Sequence, residues 1–203
     1  MDKVVPLPIR GKHVEDRQVS LEERDDDALM LMVRAGEDRA FEVLVRRHQR
    51  MALATAAKYL GDPNAAEDAA QNSFLDLLRH ATAYRPEGKF RAFLAKIVIN
   101  QCRMANRRAR SEATKQRGLF SLYQTAPPSN HHDTVRQREQ QRLLDEALTH
   151  LSPKLRDVII LRYTAALSLK EIGETLGIRL GTVKSRLFAG VEKLSRALEA
   201  MDQ

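Results

Sequence analysis

Few side chains in this sequence of 203 residues are spaced for covalent chemistry. Glu67 and Asp68 are neighbouring carboxylates, the pair that a general acid and base would need, but consecutive residues of a helix point about 100° apart. His131-His132 is a pair of imidazoles with no further ligands at metal spacing. Cys102 is the only cysteine, which excludes an intrachain disulfide and reads as a small buried helix residue. No Ser-His-Asp arrangement and no glycine-rich phosphate loop is legible, so an enzyme acting on nucleic acid finds no support in the residues. What does concentrate is cationic chemistry. The formal net charge is +7, and Lys89, Arg91, Lys96, Arg103, Arg107, Arg108, Arg110, Lys115 and Arg117 fall in one stretch that holds a single acid, Glu112. Such a block suits phosphate, on a nucleic acid or on an anionic surface.

The elements that must carry these groups are helical. Ala, Leu, Arg, Glu and Gln dominate, aromatics are only 5%, and the alternation of a pleated strand is rare. Residues 1–24 mix proline, charge and isolated aliphatics and read as a flexible tail. From Asp25 the acidic triplet opens a short first helix that Gly36 stops. A second runs from about Asp38 to Leu60, with His48 on its apolar stripe as a core or boundary residue. Asp62-Pro63 then caps a third, in which Asp68, Gln71, Asn72 and Leu75 share one stripe beside the core face. That stripe is either a solvated face or a docking face for another protein's helix. Tyr84-Arg85-Pro86-Glu87-Gly88 breaks the pattern, and a fourth helix from about Lys89 buries Phe90, Phe93, Leu94, Ile97 and Cys102 behind its basic face. Residues 111–138, with Pro127-Pro128-Ser129-Asn130, read as a linker.

Beyond the linker, Glu139–Leu151 is amphipathic and Ser152-Pro153 caps a helix containing Leu155, Val158, Ile159 and Tyr163. Ser168 and Glu171 then form a capping box, Ile172 and Leu176 face inward, and Gly177 closes two turns. After the turn Ile178–Gly181, a longer helix commits Val183, Leu187, Val191, Leu194 and Leu198 to the core. Thr182, Lys184, Ser185 and Arg186 are left at the leading end of the other face, where the second helix of a helix-turn-helix meets DNA. The expected fold is all-α, in two small helical domains at 25–110 and 139–203, joined by a flexible linker.

Three stretches together resemble the extracytoplasmic-function (ECF) sigma factors of the sigma-70 family: Ala65–Leu75, Phe90–Asn100, and Leu161-Arg162-Tyr163 through to Gly181–Leu187. The resemblance covers about residues 25–110 (region 2) and 139–200 (region 4). It implies a non-catalytic subunit that binds core RNA polymerase and directs promoter-specific initiation. By position, Asp68, Gln71, Asn72, Phe74 and Leu75 match the segment that docks on the β′ clamp helices. Tyr84, Arg85, Lys89, Lys96, Asn100, Arg103, Arg107 and Arg108 match the part that captures the melted −10 element, with a base flipped from the non-template strand. Arg179, Thr182, Lys184, Ser185 and Arg186 match the reader of the −35 element, and region 4 is also expected to meet the β flap.

This chain departs from the family pattern in three places. Phe93 stands where Trp is usual, Asn72 where Glu is usual, and Arg179 where a capping Ser is usual. An anti-sigma factor is a common further partner in the family, with no direct mark here. No cofactor or metal is expected. The absence of a ~20-residue apolar run or a signal-peptide pattern implies a cytoplasmic protein without membrane insertion. The competing reading is a helix-turn-helix regulator that binds duplex DNA independently of polymerase, usually as a dimer on a palindrome.

Overall fold

A computed structural model describes residues 20–115 and 135–201. Eight α-helices make up the fold among these residues: α1 (Asp26–Arg34), α2 (Asp38–Leu60), α3 (Pro63–Arg79), α4 (Phe90–Lys115), α5 (Val135–His150), α6 (Pro153–Tyr163), α7 (Leu169–Leu176) and α8 (Leu180–Met201). Their ends follow the sequence signals. The Asp25 carboxylate accepts from the Ala28 amide at 2.7 Å and Asp62 from Ala65 at 2.8 Å, each satisfying an amide that the first turn leaves unpaired. Gly61 ends α2 in the left-handed region, with φ of +70°, where glycine meets no Cβ penalty. Ser152 is the exception: it stands at the N-cap of α6, but its hydroxyl accepts no capping bond.

Helices α2, α3 and α4 pack on one another, with α1 laid across α2. Leu29, Leu44, Tyr59, Leu77, Leu94 and Ile99 fill the space between them, each 0–1% exposed. In the second half α6 and α8 form the central pair, flanked by α5 and α7. A smaller cluster of Ala147, Leu148, Leu151, Ile159 and Leu194 lies there.

The structure revises several expectations. A 3-10 turn, Leu21–Glu23, lies inside the expected tail, held because Arg46 reaches Glu22 at 2.6 Å and Arg47 reaches the Glu22 carbonyl at 3.1 Å. Both helices beside the expected linker run into it, α4 to Lys115 and α5 back to Val135; the remainder of the linker, with His131-His132, lies outside the described residues. Val191 is 44% exposed and not in the core. The inward position is Gly190, whose Cβ, were there one, would stand 3.0 Å from Ile159 Cγ1. A hydrophobicity pattern misses it because glycine has no side chain to count; the true face runs Val183, Leu187, Gly190, Leu194, Ala197, in steps of the helical period.

The two halves also do not stand apart. Val158, Leu161, Ile172 and Val183 belong to the same buried cluster as Tyr59, Ile99 and Cys102, and α5 and α6 rest on α2 while α7 rests on α4.

Candidate nucleic-acid and polymerase interface

Three surfaces carry the residues singled out from the sequence. On α3, Asp68, Gln71 and Asn72 are exposed and Leu75 is 50% exposed, with Leu78 at 41% one turn on. Leu75 and Leu78 are thus large apolar side chains left in water between polar neighbours. Phe74 is not part of that face. It is 8% exposed and meets Phe41 edge to face at 6.5 Å, so it anchors α3 from behind; an aromatic ring on the core stripe is worth more there than in water.

The second surface is the loop before α4 and the exposed side of α4. Arg85, Lys89, Lys96, Asn100, Arg107 and Arg108 are exposed, and Arg103 is half-buried. Tyr84 departs from the expectation of a surface contact. It is 5% exposed, its ring packs on Phe93 at 5.0 Å and Phe90 at 6.0 Å, and its hydroxyl donates to the Asp27 carboxylate. Burial and the Asp25–Asp27 carboxylates push its pKa well above the usual phenol value. The other Asp27 oxygen accepts the Gly88 amide at 2.6 Å. Thus one carboxylate ties both ends of the 84–88 loop, and Gly88 takes a φ of +68° there.

Beside it, Asp26 receives Arg47, and His48 Nε2 lies 2.8 Å from its second oxygen. Burial opposes ionisation of Asp26, yet His48 and Arg47 outweigh it and hold the carboxyl below its usual range. His48 is 7% exposed and 5.0 Å from the Phe90 ring, so the histidine expected at the core boundary is there, paired. The acidic triplet looked like helix-start chemistry alone. That Asp26 and Asp27 also brace the loop was not legible, because their partners are distant in sequence.

Cys102 is fully buried, and burial pushes its thiol up to about 12. Among the described residues no three His, Cys, Asp or Glu side chains come together as metal ligands, and no helix is long and apolar enough to cross a membrane.

The third surface is the helix-turn-helix. The Ser168 amide donates to Glu171 Oε2 at 2.7 Å and the Glu171 amide to Ser168 Oγ at 3.2 Å, completing the capping box. Hydrogen bonding of its carboxylate with the Ser168 hydroxyl, and then with the Ser168 amide, holds the Glu171 pKa down. Gly177 closes α7 with φ of +65°. A residue that sequence reasoning missed is Gly173: a Cβ there would lie 2.9 Å from the Ile178 carbonyl oxygen, so only glycine lets the turn fold back on α7. Helix α8 starts with Val183 buried, Lys184 and Ser185 exposed, and Thr182 and Arg186 partly exposed; Arg179 is exposed just before it. Hydroxyl, ammonium and guanidinium groups at the leading end of a helix suit base edges and phosphates in a major groove.

Comparison with known proteins agrees with both halves. Residues 44–112 match the model for sigma-70 region 2 and residues 141–194 the model for sigma-70 region 4. The RNA polymerase sigma factor CarQ of Myxococcus xanthus is 31% identical over 170 residues, 83% of this chain and 95% of that one. The RNA polymerase sigma-H factor of Pseudomonas aeruginosa is 26% identical over 191 residues, 89% of this chain and 97% of that one. In fold, the chain resembles the sigma factor RpoE of Bartonella quintana, solved in complex with the anti-sigma factor NepR, with a TM-score of 0.66 at 21% identity over 78% of this chain and 96% of that one. With two region models in order and a relative of this identity matched over nearly its whole length, the chain belongs to the ECF-type sigma-70 family: it is an alternative sigma factor, a DNA-binding partner of core RNA polymerase in transcription initiation.

Proposed function

We propose that the three surfaces divide the work of initiation residue by residue. Asp68, Gln71, Asn72 and Leu75 of α3 dock on the β′ clamp helices, with Phe74 as the anchor beneath them. Arg85, Lys89, Lys96, Asn100, Arg103, Arg107 and Arg108 hold the melted −10 element, Asn100 by hydrogen bonds to an extruded base and the cations by phosphate contact. Tyr84 and Asp27 keep the capture loop in place. Arg179, Thr182, Lys184, Ser185 and Arg186 read the −35 element, and the second half also meets the β flap. The domains are the 25–110 and 139–203 units, with α4 and α5 running on into the segment between them. Polymerase performs the chemistry and this chain supplies recognition, working in the cytoplasm, with an anti-sigma factor as a further partner.

The observation that carries this reading is the α3 stripe. Leu75, at 50% exposure, sits among polar residues on a helix whose other face is fully used in the core. A self-sufficient duplex-binding regulator has no need of such a face, and the family match likewise does not favour that alternative.

Leu75→Glu tests it. The substitution lies on the surface, so the fold is expected to stay intact, while a carboxylate in an apolar contact weakens binding to core polymerase at least ten-fold in a fluorescence-anisotropy titration. Unchanged affinity for core, with the helical circular dichroism preserved, would remove α3 from the docking surface.

A further inference from the structure

Asp25, Asp26 and Asp27 have three different sets of partners. Asp25 caps α1, Asp26 takes Arg47 and His48, and Asp27 holds the Tyr84 hydroxyl and the Gly88 amide. The 84–88 loop is therefore tied to α1 as well as to the helix that follows it. Helix α1 also lies against Ala81–Ala83, the 3-10 turn that leads into Tyr84, and His48 stands 5.0 Å from the ring of Phe90, the first residue of α4. Between these holds, Arg85 to Lys89 are exposed.

One guanidinium fixes the start of α1. Arg47 Nη2 donates to the Glu22 and Arg24 carbonyls, each at 3.1 Å, while Nη1 donates to the Asp26 carboxylate. These three acceptors flank the point where the chain turns into α1, and a planar fork of donors holds them in one geometry as a lysine ammonium does not. Beside it Leu21 packs on the core and Arg46 reaches Glu22 at 2.6 Å. Residues 21–27 precede the stretch that matches sigma-70 region 2, 44–112.

We infer that residues 21–27 are a strap that orders the base-capture loop before DNA arrives, with Arg47 as its clasp: a positioning residue for promoter melting that acts through Asp26 and Asp27. This rests on the −10 assignment proposed above. Extruding a base already costs free energy, and a loop that must also be ordered on binding adds its own conformational entropy to that cost. Ordering the loop beforehand removes the second part.

The rival role for a cation near this loop is direct contact with phosphate, and the two roles differ in sign at Asp26. R47M keeps the stem of the side chain and removes its donors; D26A removes the acceptor and with it a negative charge. If Arg47 held phosphate, D26A would leave melting unchanged or raise it. If Arg47 is the clasp, both variants lose. Each is expected to lower permanganate reactivity of melted thymines about five-fold or more, the scale of one hydrogen bond. Affinity for core polymerase should stay within about two-fold of wild type, since Arg47 and Asp26 lie off the α3 stripe. The R47M/D26A double should lose no more than either single variant, because both act at one joint. It also leaves neither charge facing an absent partner, so a folded protein remains to be measured.

Hydrogen exchange in the free protein reads the loop directly. The Gly88 amide, whose hydrogen Asp27 accepts at 2.6 Å, should exchange about ten-fold faster in R47M while the amides of α3 keep their rates. Unchanged exchange at Gly88 would overturn the inference, and so would equal acceleration throughout α3, D26A that melts promoters as well as wild type, or losses that add in the double variant. Faster exchange at Gly88 with melting unchanged would instead count against the −10 assignment. No melted thymines with the unmutated chain would count against the sigma reading itself.

Discussion

At the scale of single residues, the carboxylates of the first helix do more than start it. Asp26 is ionised against His48 and Arg47, and its pKa is lowered in the fold. A carboxylate with a depressed folded pKa stabilises fully above its unfolded value and loses that contribution as pH falls through the folded one. Asp26→Asn is therefore expected to cost about 2 kcal/mol at pH 7, the scale of hydrogen bonds to a charged group. The gap between variant and wild type should close as pH falls below the ordinary carboxylate range. Urea titrations across that range check this, and a gap independent of pH would mean that the charge contributes nothing.

Asp27 makes a different prediction. Its bonds to Tyr84 and the Gly88 amide fix the 84–88 loop without touching the −35 surface. Asp27→Ala should reduce permanganate reactivity of melted thymines at a promoter several-fold while leaving binding to core polymerase unchanged. Equal loss of both would point to general unfolding instead.

At the scale of elements, the helix ends were plain from sequence because caps are local: Asp25, Asp62, Ser168 with Glu171, and Gly177 all do what their neighbours predict. The roles of Gly173 and Gly190 were hidden, since each matters only through an atom supplied by another segment, the Ile178 carbonyl or the Ile159 side chain. Gly173→Ala places a methyl 2.9 Å from a backbone oxygen, a clash that no side-chain rotation relieves. Overpacking of this kind costs about 1–3 kcal/mol. Thermal denaturation should show a lowered midpoint, and affinity for −35 duplex should fall with it as α8 shifts. A variant as stable as wild type would mean that the turn yields more easily than its geometry implies. Tyr163 at the end of α6 and Phe188 and Val191 on α8 are also exposed, at 65%, 74% and 44%.

At the scale of the molecule, composition and periodicity were enough for an all-α chain with a basic middle and a helix-turn-helix end. The order of the three family-like stretches was enough for its role in transcription. The packing of one half on the other was not legible. It depends on Asp157, Arg156, Glu174 and Lys89 meeting across the chain, and in sequence each reads as an ordinary charged helix residue. Arg156 and Asp157 are 7% and 3% exposed; Tyr59, which Arg156 covers, has its phenol pushed up to about 12 by burial and by the Asp157 charge.

The most direct test of the account is start-site mapping by sequencing of the RNA made in vitro from fragmented genomic DNA by core polymerase, with and without this chain. The account predicts new start sites that appear only with the chain and share one upstream and one −10 sequence. Asn100→Ala should abolish them by preventing melting, and Arg186→Ala should weaken them through the upstream element. Start sites identical to those of core polymerase alone would contradict it.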